Sequence, residues 1–305
     1  MKPVGQRYML SDRDDELRDV LGDVLRFAPD PTRRATPIQF GRQLETRGLV
    51  VSGPSGVGKT TLLKRGLDEI DGLGLFDGSS GHVVELTVPP EATLKGLAFS
   101  LLDSLLYTGA RNMTAAEAWE IAQHRLALFE ISVLWIDEAH HLLTSGSGRD
   151  AKTATRRLKL LLQGNHALVV VLSGTPELVE LLQKDAETWR RFLKMPLRAS
   201  LSGRERLSFA RYIRALCKEY EVTPPNDPHL AERLLSASNG IIGEAIDLVT
   251  LCIERARAKG LDALHLGDFR RAFVYSGNAG SITPFDEVAW EELAPALEEI
   301  MEGVA

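Results

Sequence analysis

The segment Gly53-Pro54-Ser55-Gly56-Val57-Gly58-Lys59-Thr60 is a complete G-x-x-x-x-G-K-T sequence, and nothing else in the 305 residues constrains the fold as much. It follows an apolar run, Leu49–Ser52, and opens a helical stretch that begins TLLKRGL at Thr61. That strand–loop–helix context is what the motif requires. Its glycines let successive backbone N–H groups close around phosphate oxygens, and the following helix N-terminus favours negative charge. Residues 53–60 together with Thr61 are therefore predicted to cradle a nucleoside triphosphate. Lys59 would reach the β- and γ-phosphates, and the Thr60 hydroxyl would hold Mg²⁺.

A second motif lies about 75 residues downstream. Val133-Leu134-Trp135-Ile136-Asp137-Glu138 is an apolar strand ending in two acids. Asp137 would support the metal beside the phosphates, and Glu138 would act as general base on the attacking water. A third, Val171-Leu172-Ser173-Gly174-Thr175-Pro176, is a strand ending in small hydroxyl residues. If it lies between the other two strands, Ser173 or Thr175 can sense the γ-phosphate. Thr175 also reads as a plain helix cap ahead of Pro176.

Short β-rich runs at Leu49–Ser52, Val83–Leu86, Val133–Asp137 and Leu168–Ser173, with a weaker one at Met195–Leu197, alternate with helical patterns. Runs such as VLWID and LVVVLS are almost wholly apolar, as in strands buried on both faces of a parallel sheet. The expected class is α/β: a P-loop αβα sandwich on a parallel five-stranded sheet, then a small all-helical lid. After Ser200 the strands stop, and helical patterns follow to about residue 276. The domain reading is 1–44 as a helical N-terminal extension, 45–200 as the nucleotide-binding domain, 201–276 as the lid and 277–305 as linker and acidic tail.

Charge is uneven. From Phe285 onward the chain carries seven acids and no base; removing them from the net −6 leaves about +1 for residues 1–284. An acidic average therefore does not exclude a nucleic-acid partner. Phe285, Trp290 and Leu293 interleave those acids, so the tail reads either as a segment that folds on binding or as a solvated end. Cys217 and Cys252 are too few and too far apart for a disulfide framework or a metal knuckle. His140 and His141 follow Glu138 without a Cys or a paired His at ligand spacing, which favours a polar contact over a metal site. No run approaches the roughly 20 apolar residues of a membrane helix, and the acidic N-terminal stretch is unlike a signal peptide. The expectation is a cytoplasmic protein without membrane contact.

Taken in order, these motifs resemble an AAA+ ATPase of the initiator-like branch. VVSGPSGVGKT, LWIDEAHHLL and VVVLSGTPELVELLQKDAETWRRF resemble more narrowly the TniB/TnsC group of transposition regulators, with the Mu B protein a more distant relative. The likeness covers about residues 45–275. It implies an ATP-dependent protein that forms rings or helical filaments on duplex DNA without sequence preference. Such a protein marks target DNA and recruits or activates a transposase, alongside target-selector proteins. The resemblance also implies a neighbour's arginine at each ATP site, and Arg190 and Arg191 match its position. A surface pair on a short helix is the plainer reading of both. It places DNA contacts at Lys95, Arg111 and Thr114, of which Thr114 also reads as a helix cap completed by Glu117. One departure stands out: Gly240-Ile241-Ile242-Gly243-Glu244 has Gly243 where many related lids carry a nucleotide-sensing arginine. A basic run, Arg149, Lys152, Arg156, Arg157 and Lys159, reads as a solvated face or as a DNA or subunit contact. The rival reading is an AAA+ ATPase of secretion or signalling type that acts on a protein partner without DNA. A small-molecule kinase is disfavoured by the paired Asp137-Glu138 and the long helical segment after the sheet.

Overall fold

The structure is a computed structural model that describes residues 7–30, 32–90, 93–144, 148–199, 201–277, 283–287 and 290–291. Up to the first motif the elements are α1 (Asp12–Gly22), β1 (Leu25–Arg26), β2 (Thr36–Pro37) and β3 (Gly48–Ser52). Then come α2 (Lys59–Glu69), β4 (Val83–Thr87), α3 (Leu94–Ser104), α4 (Ala115–Leu128) and β5 (Val133–Asp137). The second half continues with α5 (His140–Thr144), α6 (Gly148–Leu161), β6 (Val169–Gly174), α7 (Glu177–Gln183), α8 (Ala186–Trp189) and β7 (Phe192–Pro196). Then come α9 (Gly203–Glu219), α10 (Leu230–Ala237), α11 (Ile242–Ala258) and α12 (Leu266–Tyr275).

Five strands form one sheet in the order β4-β5-β6-β3-β7, and every neighbouring pair is parallel. β3, β5 and β6 are buried along their whole length, which explains why they read as unbroken apolar runs. The edge strand β7 buries only Phe192 and Met195 and exposes Lys194. That weaker signal is why the sequence pattern places it three residues late. The core beside the sheet is built on α3, α4 and α6, with Leu101, Trp119, Leu126 and Leu158 buried against Leu134, Ile136 and Leu172. Local signals set the helix starts: the Thr93 side chain caps α3, and Thr114 with Glu117 forms a reciprocal capping box on α4.

The chain forms two units. One holds Arg13–Ser55 and Lys59–Leu197; the other holds Met1–Asp12, Gly56–Gly58 and Arg198–Ala305. Among the described residues of the first 44, expected as a helical extension, are helix α1 and the small antiparallel β1–β2 ribbon. From Arg13 onward they belong to the sheet unit, with Leu17 and Leu21 of α1 buried.

The second unit is helical and has its own core, including Phe209, Leu216, Leu234, Val249 and Phe269. Cys217 and Cys252 are buried there as free thiols. Burial pushes their pKa values up, to about 11 and about 12, so neither is a ready nucleophile. Phe285, expected in an open tail, lies in this core 5.8 Å from Phe269, ring centre to ring centre. Trp290 is also buried and covers the Arg233 guanidinium at 4.7 Å. Arg233 is held further by Asp227 at 2.9 Å and by the carbonyl of Pro284 at 2.6 Å. Leu293 lies outside the described residues.

Candidate functional site

The phosphate loop leaves β3 at Ser52 and enters α2 at Lys59. Gly56 and Gly58 have φ of +76° and +96°, backbone that other residues adopt only with strain. Lys59 is 5% exposed, and its Nζ donates to the carbonyls of Gly53 and Pro54 at 2.8 and 2.9 Å. Burial lowers the Lys59 pKa; Glu138 and Asp137 oppose that shift.

β6 lies between β3 and β5, as the third motif required. This order brings three hydroxyl and carboxyl groups together. Thr60 Oγ1 donates to Asp137 Oδ2 at 2.7 Å, and Ser173 Oγ donates to Asp137 Oδ1 at 2.5 Å. Trp135 Nε1 in turn donates to Ser173 Oγ at 2.8 Å. Ser173 is wholly buried, so its hydroxyl orients Asp137 and is not exposed toward a phosphate. Thr175, half-buried just past β6, is the hydroxyl of this motif nearer to solvent. The Thr60 hydroxyl and the Asp137 carboxylate are hard oxygen donors of the kind Mg²⁺ takes, with waters and phosphate oxygens completing its shell. The residues fit that ion.

Glu138 has φ of +52°, uncommon for a residue with a side chain. Its N–H donates to Asp137 Oδ1 at 3.0 Å, and its side chain is about a third exposed. His140 Nδ1 lies 3.2 Å from Glu138 Oε2, near enough for a charge contact but without a hydrogen bond. Burial and the neighbouring His141 lower the His140 pKa, against the pull of Glu138.

The two arginines at the end of α8 diverge. Arg190 is exposed. Arg191 is buried and ion-paired with Glu45 at 2.9 Å and with Glu187 at 3.5 Å. Only Arg190 presents its guanidinium at the surface. Glu45, the partner that holds Arg191, was missed, because no local pattern signals an ion pair spanning 146 residues. Trp135 was missed as well, although a buried indole N–H always needs an acceptor.

Lys95 and Arg111 converge on one aromatic ring, lying 5.7 and 5.9 Å from the centre of Phe99. Arg111 is also paired with Asp103, which offsets part of its charge. Thr114 is engaged in its capping box. In the basic run, Lys159 is paired with Glu187 at 2.5 Å. Lys152, Arg156 and Lys159 line one cavity with Lys184, and the Arg149 side chain lies outside the described residues.

In the helical unit, Gly243 approaches the loop itself. Its N–H donates to the Gly56 carbonyl at 3.0 Å, and a Cβ there would sit 2.4 Å from that oxygen. The position where related lids carry an arginine is thus closed to any side chain.

A family model for bacterial TniB protein matches residues 37–200. No curated protein matches. The chain is similar in structure to the ORC2 protein of Aeropyrum pernix in its ADPNP-ADP complexes, with a TM-score of 0.65 at 16% identity over 91% of this chain and 72% of that one. It is also similar to Cdc6p from Pyrobaculum aerophilum, with a TM-score of 0.63 at 16% identity over 88% of this chain and 69% of that one. The third is the ORC1 protein of Aeropyrum pernix in complex with DNA: TM-score 0.61, 14% identity, 89% of this chain and 66% of that one. At such identities the likeness bears on fold, and it supports the αβα sheet with its helical unit.

Proposed function

The chain belongs to the TniB family, and on that premise we propose that it is an ATP-dependent, DNA-associated AAA+ protein that regulates transposition. In this reading it binds ATP with Mg²⁺, oligomerises on duplex DNA without sequence readout, and recruits or activates a transposase. The single observation that carries the nucleotide half is the Thr60–Asp137–Ser173 linkage. It joins the phosphate loop, the acid of β5 and the end of β6 at one point, where Thr60 and Asp137 would hold the Mg²⁺ of a bound triphosphate and Ser173 orients Asp137 from behind. Lys59 would neutralise phosphate charge, Glu138 would take the proton of the attacking water, and Arg190 of a neighbouring copy would stabilise transition-state charge.

DNA association is supported by the family and by the likeness to a protein whose structure is a complex with DNA. Lys95 and Arg111 around Phe99 supply backbone-directed charge, and a repeating assembly multiplies each contact into a strongly salt-dependent total. Among the described residues no single helix is long and apolar enough to cross a membrane.

The test is fluorescence anisotropy of a labelled random-sequence duplex, with ATP analogue, with ADP and without nucleotide. Cooperative, salt-sensitive binding in the triphosphate state is expected. Nucleotide binding without DNA binding in any state would leave an ATPase that acts on a protein partner. The Glu138→Gln variant should retain nucleotide and slow hydrolysis by about 10²–10⁴-fold, prolonging any triphosphate-dependent assembly.

A further inference from the structure

We propose that Glu138, His140 and His141 form a binding site for a divalent transition-metal ion of the Zn²⁺ class, separate from the Mg²⁺ pair, and that its occupancy arrests hydrolysis. One ligand atom from each of the three lies within 4.8 Å of the others. The arrangement comes from the turn after β5. The left-handed backbone at Glu138 reverses the chain, and the His141 N–H closes on the Glu138 carbonyl at 3.0 Å. Residues 138, 140 and 141 thereby reach the same side, with the two imidazole ring centres 4.0 Å apart and their planes at 41°.

His140 supplies the anchor. It is 7% exposed, yet its Nδ1 makes no hydrogen bond. The Glu138 carboxylate is near enough, at 3.2 Å, but badly aligned. Two ligand atoms bound to one tetrahedral Zn²⁺ at about 2.0–2.1 Å are about 3.3 Å apart and do not point at each other. The observed pair has that separation and that misalignment. A buried polar nitrogen without a hydrogen bond costs about 1–3 kcal/mol, which a bound cation would relieve. Glu138 and His141 are both partly exposed, so they can close the remaining distance while His140 stays in place.

The donor set selects the ion. Two imidazole nitrogens and one carboxylate suit Zn²⁺ or its neighbours and not Mg²⁺. The inhibitory part rests on the reading of Glu138 as general base: a carboxylate bound to Zn²⁺ cannot also accept a proton from water. The site itself does not depend on that reading.

The experiment titrates the full chain with Co²⁺, whose visible absorption reports tetrahedral nitrogen and oxygen ligation, and then displaces it with Zn²⁺. Hydrolysis is measured in parallel at constant excess Mg²⁺. The parent should bind one Co²⁺ per chain with a tetrahedral band, and micromolar Zn²⁺ should stop hydrolysis. His141→Ala should keep the zinc-free rate and the circular dichroism of the parent, lose the band, and weaken Zn²⁺ by at least about 100-fold, the upper end of what outer-shell changes cost. Absence of the band in the parent, or its survival in His141→Ala, overturns the site. A His141-dependent band with hydrolysis unaffected by Zn²⁺ keeps the site and overturns both its inhibitory role and the general-base assignment of Glu138.

Discussion

Asp137 and Arg233 are both buried charges, and their surroundings differ in kind. Arg233 meets a carboxylate, a carbonyl and an indole face; its charge is neutralised within the helical unit, and it fastens the C-terminal segment to that unit. Asp137 meets the neutral hydroxyls of Thr60 and Ser173, which orient the carboxylate without cancelling its charge. A buried charge that is oriented but not neutralised is arranged for a cation that comes and goes. A neutralised one is part of the scaffold.

The comparison breaks first at the scaffold. Ending the chain after Gly277 removes Phe285 and Trp290, and should destabilise the helical unit by about 3–5 kcal/mol. Ending it after Glu291 keeps both aromatics and serves as the comparison. Urea unfolding of the two truncations decides; equal midpoints would return residues 283–291 to the status of an open tail. At the site, Lys59→Ala should weaken nucleotide binding by on the order of 100-fold or more while leaving the urea midpoint near that of the parent. Titration with a fluorescent ATP analogue reads this directly.

Ser173→Ala sharpens the contrast further. It leaves the Trp135 N–H without its acceptor, at about 1–3 kcal/mol, and leaves Asp137 Oδ1 with the Glu138 N–H alone; it should also weaken the Mg²⁺-dependent part of nucleotide affinity. A calorimetric loss without any change in Mg²⁺ dependence would make Ser173 purely structural. The smallest effect is on pH. Because the folded His140 pKa lies below the ordinary 6.5, the unfolded chain takes up the proton first as pH falls. Stability from this residue is complete above about pH 6.5 and declines below it. His140→Gln should flatten that part of the melting-temperature profile, and an unchanged slope would assign it elsewhere.

Much of the site was legible because its chemistry dictates spacing. The glycines of the loop, Lys59, Thr60 and Asp137 are recognisable one after another along the chain, and the apolar runs around them fix the strands. Ser173 was found as a hydroxyl at the right strand end, but its role was not: whether it faces a phosphate or Asp137 depends on Trp135, two strand positions before that acid. Arg191 was drawn toward Arg190 by adjacency, whereas Glu45 decides its environment from the far end of the domain. Phe285 and Trp290 misled in a different way. Two aromatics among acids satisfy the pattern of a binding segment, and that pattern is equally met when the surface they bind belongs to their own chain. In the fold, β7 was displaced because an edge strand with Lys194 lacks the apolar continuity of β3, β5 and β6.

The hydrogen bond from Gly243 to Gly56 has a consequence for how the loop is read by α11. An arginine senses a phosphate through charge, over several ångströms, and weakens as salt rises. Two peptide groups in contact sense only position, at short range and with little regard to ionic strength. Through this hydrogen bond the first turn of α11 registers the position of the Gly56 peptide, while charge enters that turn through Glu244. Gly243 makes the helix a gauge of shape, with the missing side chain as the condition for its fit.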